Sequence, residues 1–188
     1  QVGVELIGSD SPAADAEVVA LAIEALQKLK QKGFQINLGH MGIFKGLMAE
    51  LEIPSEFKAS YEEKLGRKDF VGIERLVRDS GLAPQVKEIL FKFPHLHGTE
   101  DMLAEVLQWS QQAYLREAVE ELHSIFSYLK AFGVQENVNL DLGILRGFSY
   151  YTGAVFEGYV PGIGFPVVEG GRYDTLYSEF GEDIPATG

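Results

Sequence analysis

The chain has 188 residues, 46% of them hydrophobic, and carries 16 basic against 28 acidic side chains for a formal net charge of −12. That size supports one ordinary domain with a lobe attached, or two small ones, while the charge repels a phosphate backbone and the lack of cysteine excludes disulfides and thiolate metal sites. No apolar run approaches the ~20 residues that span a bilayer, and no charged-then-apolar leader opens the chain, so a cytoplasmic location without membrane association is expected.

In chain order, Gln1 to Gly8 alternates, with Val2, Val4 and Leu6 on one face and Gln1, Gly3 and Glu5 on the other, which predicts a strand with one apolar side. It starts without methionine and reads as mid-strand. SDSPAAD follows as a turn, with Asp15 as cap of a helix whose apolar positions Val19, Ala22, Ile23, Leu26 and Leu29 recur at three and four before Gly33 ends it. FQINLGH is then a short strand, completing a strand, helix, strand unit.

From Met41 to Asn137 the pattern is helical, broken at Pro54, Gly66, SGLAP and FPHLHG. Within it the densest basic stretch, KLGRKDF, has Glu62, Glu63 and Asp69 in or beside it and reads as a solvated face. His95 and His97, spaced as on one side of a strand, read as loop histidines without a metal, and His40 and His123 lack a nearby carboxylate pattern. Glu117 to Lys130 is the clearest helix, and the aromatics Trp109, Tyr114 and Phe132 near it are assigned to the core. The remaining residues turn strand-like in VNLDLGIL, AVFEGYV and FPVVEGG, an antiparallel run that stops at IPATG without a closing element. An α+β fold with an inserted helical lobe is predicted, in a chain that looks like a piece of something longer.

Four places could carry chemistry. Glu5 and Gln1 flank a shared glycine on one strand face, which suits recognition of an ammonium group, or is simply an exposed sheet edge. Arg146 leaves an apolar strand just before Gly147, placed to fork onto a carboxylate or phosphate, or to form a structural ion pair. Tyr150 and Tyr151 point to opposite faces if extended, one into the core and one into a pocket. EGGRYDTL sets Gly170, Gly171, Arg172 and Tyr173 before Asp174, which can cap a helix; its plainer reading is a tight turn with Arg172 and Asp174 paired locally.

Taken in order, QVGVELIGSDSPAADAEVVALA, LRGFSYYTGAVFE and GGRYDTLYSEFGEDIPATG resemble the catalytic core of the histidyl-tRNA synthetase family, class II synthetases with a noncatalytic paralogue, the regulatory subunit of ATP phosphoribosyltransferase. The resemblance covers nearly the whole chain. It implies a class II synthetase-like antiparallel sheet flanked by helices, with 1–40 and 138–188 as parts of the core, 41–137 as a helical insertion, and truncation at both ends. It places Gln1, Glu5, Arg146, Tyr151 and Tyr173 in a histidine pocket, Arg146 on the substrate carboxylate and Tyr173 at the imidazole. Gly147, where a bend is expected, Ser149, Gly170, Gly171 and Arg172 support them.

Ser149 stands where the synthetase pattern has aspartate, and losing that carboxylate beside the arginine favours the paralogue. The resemblance then implies a noncatalytic regulatory subunit that binds histidine without a cofactor and partners the short-form catalytic subunit, as a homodimer within a hetero-oligomer and without tRNA. The alternative is a synthetase core that activates histidine with ATP and Mg²⁺.

Overall fold

Ser11 starts the first helix, a full turn before Asp15. In the computed structural model, which describes residues 1–109, 112–144 and 150–188, helix α1 (Pro12–Lys28) is capped by the Ser11 hydroxyl, which accepts the Ala13 N–H at 3.2 Å. Pro12 takes the first helical position, where its fixed φ is already helical and its missing N–H is not needed. Asp15 is thereby carried into the helix and buried. Ala16, Val19, Ile23 and Leu26 form the buried stripe, whereas Leu29 falls just past the last turn and is exposed, contrary to the periodic reading.

The N-terminal strand is also shorter than its alternation predicts. Only Leu6–Ile7 pair, as β1; Val2 is 96% exposed and Val4 also faces solvent, because the pairing with the short terminal strand leaves that face uncovered among the described residues. The expected strand, helix, strand unit does not close either, since β1 is not a neighbour of β2 (Gln35–His40).

The principal sheet is built on β2, with β3 (His97–Gly98), β4 (Val138–Asp141), β5 (Ala154–Tyr159) and β6 (Val168–Gly171) in the order β3-β4-β2-β5-β6. Its pairings are antiparallel except β2 with β4, where the long helical crossover returns the chain in the same direction. Within the C-terminal run β5 and β6 pair antiparallel as expected, whereas β4 and β5 run in opposite directions with β2 between them. A single bridge between Arg172 and Thr187 joins β6 to the small sheet of β1 and β7 (Ala186–Thr187).

Between β2 and β4 lie α2 (Met41–Glu50), α3 (Ser55–Gly66), α4 (Phe70–Asp79), α5 (Pro84–Lys92), α6 (Asp101–Trp109) and α7 (Ala113–Ala131). Pro54 precedes α3 and Pro84 opens α5, where a proline costs no hydrogen bond. Asp69 caps α4 by accepting the Gly72 N–H at 2.8 Å. Tyr61 is the hub of this region: fully buried, it stacks on Phe44 and Phe57 and donates its hydroxyl to the Leu90 carbonyl at 2.7 Å. The basic stretch is neutralised locally, with Arg67 3.1 Å from Glu63 and Lys64 4.0 Å from Asp69.

Helix α7 packs on α1, α2 and β2, so one continuous core joins Ile23, Leu38, Phe44, Leu122, Leu140 and Phe156. Trp109 packs against this core, but Tyr114 and Phe132, at the two ends of α7, are exposed. His95 sits in a 3-10 turn against the Phe70 ring and His97 in β3, so they share no strand face. Among the described residues no helix is long and apolar enough to cross a membrane.

Candidate functional site

The face of the sheet turned away from the core is polar at its centre. Asn139, Asn37, Glu157 and Glu169 lie opposite one another across β4, β2, β5 and β6, a row set by the strand register. Glu157 is buried and accepts the Tyr159 hydroxyl at 2.6 Å. Beside this row is a small hollow lined by Met41, Ile144, Tyr151, Val155, Glu157 and Glu169.

Tyr151 is the buried ring of the tyrosine pair at 8% exposure, while Tyr150, expected in the core, is 36% exposed. The two rings do not face opposite ways: their centroids are 4.6 Å apart, because the chain turns at Tyr150 instead of running extended. Lys45 on α2, a residue with no signal in the sequence, donates to the Tyr151 carbonyl at 3.0 Å. Burial, with the Lys58 charge, lowers the pKa of Lys45.

Tyr173 closes the other side. Its hydroxyl donates a short hydrogen bond to the Glu5 carboxylate, and its ring meets Tyr150 edge-on at 6.0 Å. The paired glycines allow close packing on both faces of β6. A β-carbon on Gly171 would lie 2.5 Å from the Ala154 carbonyl oxygen and 3.0 Å from the Tyr151 ring; one on Gly170 would lie 2.3 Å from both the Gly188 carbonyl oxygen and the Phe156 ring. Glu5, Tyr150, Tyr151 and Tyr173 thus converge, with Gly171 facing Tyr151 and Gly170 facing Phe156 on the core side of β6. Gln1 is exposed, and among the described residues the structure gives it no contact with them. Arg146, Gly147 and Ser149, together with the bend expected at Gly147, lie outside the described residues.

The electrostatics of the pocket are acidic. Burial first, then the hydrogen bond and charge of Glu5, push the Tyr173 phenol above its ordinary range. Burial likewise raises Tyr151, helped by Tyr150 and by the charges of Glu169 and Glu5. Both phenols therefore stay protonated at neutral pH and can donate hydrogen bonds. A ring of phenols with Glu5, Glu157 and Glu169 suits a small ligand that combines a cationic amine with a flat polar ring.

Arg172 points away from this pocket and is 2% exposed. Its Nε and Nη2 reach Asp15 at 3.0 and 2.8 Å, its Nη1 reaches Asp174 at 3.0 Å and the Ser9 carbonyl at 3.0 Å, and its Nη2 also meets the Ser11 carbonyl at 3.3 Å. The local Arg172–Asp174 pair of the plainer reading is present, but Asp174 does not cap a helix. It accepts the Thr152 hydroxyl at 2.9 Å, and the 3-10 turn that follows (Leu176–Phe180) has Thr175 at its N-cap with no side-chain cap hydrogen bond. Sequence reasoning also missed the carboxylate beside His40: its Nε2 lies 3.3 Å from Glu121 on α7, while its Nδ1 accepts the Gly42 N–H and caps α2. Among the described residues, no cluster of three or more His, Asp or Glu side chains is arranged to hold a metal.

A mixed, mostly antiparallel sheet backed by helices, with its pocket on the open face between β1, β5 and β6, defines a class II synthetase-like domain. A family model described as histidyl-tRNA synthetase matches residues 1–188, and the chain belongs to that family. It is 72% identical over 188 residues to a protein of Desulfitobacterium hafniense named ATP phosphoribosyltransferase regulatory subunit, covering all of this chain and 49% of that one. A solved Bacillus halodurans structure, titled as an ATP phosphoribosyltransferase regulatory subunit/histidyl-tRNA synthetase, aligns with TM-score 0.94 and 34% identity over 98% of this chain and 49% of that one. A Nostoc histidyl-tRNA synthetase aligns with TM-score 0.85 and 23% identity over 98% of this chain and 46% of that one, a likeness of fold alone. The chain spans about half the length of the curated relatives it matches.

Proposed function

We propose that this chain is part of a noncatalytic regulatory subunit of ATP phosphoribosyltransferase, holding histidine in a pocket inherited from the synthetase and conveying activation and feedback inhibition to the short-form catalytic subunit. The observation that carries this reading is the 72% identity, along the full chain, to a relative of that name. The pocket agrees with it. Glu5 offers a carboxylate to an α-amino group, Tyr151 and Tyr173 offer phenols to an imidazole, and the nearby acids repel anions.

Feedback in such a subunit requires that histidine bind more tightly in the inhibited assembly than in the active one, since a ligand shifts an equilibrium only by its difference in affinity. The working unit in this reading is a cytoplasmic homodimer within a hetero-oligomer with the catalytic subunit; it needs neither tRNA nor cofactor. The second reading, a synthetase core that activates histidine with ATP and Mg²⁺, is favoured by the description of the matching family model. In that reading Arg146 would stabilise charge at the α-phosphate. Histidine-dependent exchange of pyrophosphate into ATP by the full-length protein separates them: absence of exchange alongside measurable histidine binding is expected, and robust exchange would replace the regulatory reading by the synthetase one.

A further inference from the structure

We infer that Arg172 is a positioning residue of the pocket, setting the distance between Glu5 and Tyr173 without touching the ligand. The inference rests on the histidine-pocket reading above. Glu5 and Tyr173 come from opposite ends of the chain, and each is followed or preceded within a few residues by a group that Arg172 holds.

On the Glu5 side, the buried guanidinium donates to the Ser9 and Ser11 carbonyls, which fixes the turn between β1 and α1, and to Asp15 one turn into α1. On the Tyr173 side, Arg172 is the preceding residue. Its backbone N–H donates to the Ala154 carbonyl at 2.8 Å, and its carbonyl accepts the Thr152 N–H at 2.8 Å, directly after Tyr151. Asp174 closes the loop, binding both Nη1 and the Thr152 hydroxyl. The arginine stem lies over Gly153, where a β-carbon would sit 2.8 Å from Arg172 Cδ, so the chain has been left bare to admit it. One planar cation therefore fastens the segments carrying Glu5, Tyr151 and Tyr173. A lysine has the charge but not the fork needed to hold Asp15, Asp174 and two carbonyls together.

The test uses the full-length protein and histidine calorimetry. Arg172→Lys is expected to weaken histidine binding by about tenfold, the scale of one good hydrogen bond to a charged group. Tyr173→Phe should weaken binding in the native background and add little on top of Arg172→Lys, because the arginine acts through that tyrosine. Unchanged affinity with a lowered melting temperature, or fully additive losses, would reduce Arg172 to a purely structural ion pair. Should Arg172→Lys not fold, Asp174→Asn, at a half-exposed position, takes its place in the cycle with the same expected and overturning results.

A second measurement does not depend on histidine. The Cζ resonance of Tyr173 in ¹³C-tyrosine-labelled protein, recognised by its loss in Tyr173→Phe, is expected to shift in Asp174→Asn and Arg172→Lys as the Glu5 contact loosens. An unmoved resonance would overturn the inference. A native protein that binds no histidine, but whose Tyr173 resonance responds, would sink the functional reading and leave the positioning role standing.

Discussion

Arg172 and Asp15, 157 residues apart in sequence, are joined by two nitrogens on one carboxylate oxygen at 3.0 and 2.8 Å, each partner almost wholly buried. Removing Asp15 takes two charged hydrogen bonds from a buried guanidinium that keeps Asp174 as a partner, which places the cost towards the lower end of the about 3–5 kcal/mol of a broken buried pair. Asp15→Ala should therefore destabilise the protein by about that amount in chemical denaturation, and a loss below ~1 kcal/mol would show that water reaches Arg172.

Glu5→Ala should weaken histidine binding by about 1.5–3 kcal/mol, the usual worth of a hydrogen bond to a charged group. Calorimetry on the full-length protein reads this directly. Unchanged binding would remove Glu5 from the site and leave its contact with Tyr173 as a fold element.

Tyr61→Phe keeps the stacking on Phe44 and Phe57 but strands the Leu90 carbonyl in a buried position. The expected loss is about 1–3 kcal/mol in the unfolding free energy from chemical denaturation, with histidine binding unaffected because the tyrosine lies in the helical region away from the pocket. A coupled loss of affinity would show that the helices and the pocket move together.

Glu121 supplies a pH dependence. Burial acts to raise its pKa, but the hydrogen bond and charge of His40 and the charge of Arg172 outweigh it, and the folded value lies below the ordinary 4.5. A depressed carboxylate contributes stability that is fully present above its unfolded value and is lost as pH falls through 4.5 towards the folded one. Glu121→Gln should thus flatten the decline of stability in that acidic window while lowering stability at pH 7. Parallel stability curves for the two proteins across the window would show that the carboxylate is not coupled to its neighbours.

Much of this fold was legible from residue order. The α7 periodicity, the prolines at the starts of α3 and α5, one just before and one at the first residue, and the glycine-bounded strands all express local rules, and the structure repeats them. The failures share one cause, which is that a partner distant in sequence outranked the local pattern. Asp15 has the chemistry of a cap, but Ser11 followed by proline is the better start, and Arg172 then claims the carboxylate. Val2 and Val4 alternate as a strand should, yet a face is buried only where another element meets it. An extended chain would send Tyr150 and Tyr151 to opposite faces, and the turn at Tyr150 brings their rings together instead. Lys45 and the His40–Glu121 contact have no motif at all; only the packing of α2 against α7 and the sheet brings them into place. Of the five pocket residues that the family resemblance supplied, Glu5, Tyr151 and Tyr173 lie close together, Gln1 is exposed, and Arg146 lies outside the described residues; spacing alone could not have brought the three together.

In the proposed function, this domain belongs to a regulator that senses histidine on behalf of a separate catalytic chain. The most direct measurement is the activity of a short-form ATP phosphoribosyltransferase titrated with the full-length protein, with and without histidine. Stimulation that saturates with added protein, and is reversed by histidine in the native form but much less in Glu5→Ala, is the predicted result. A catalytic subunit whose rate is indifferent to the protein at every histidine concentration would contradict the account.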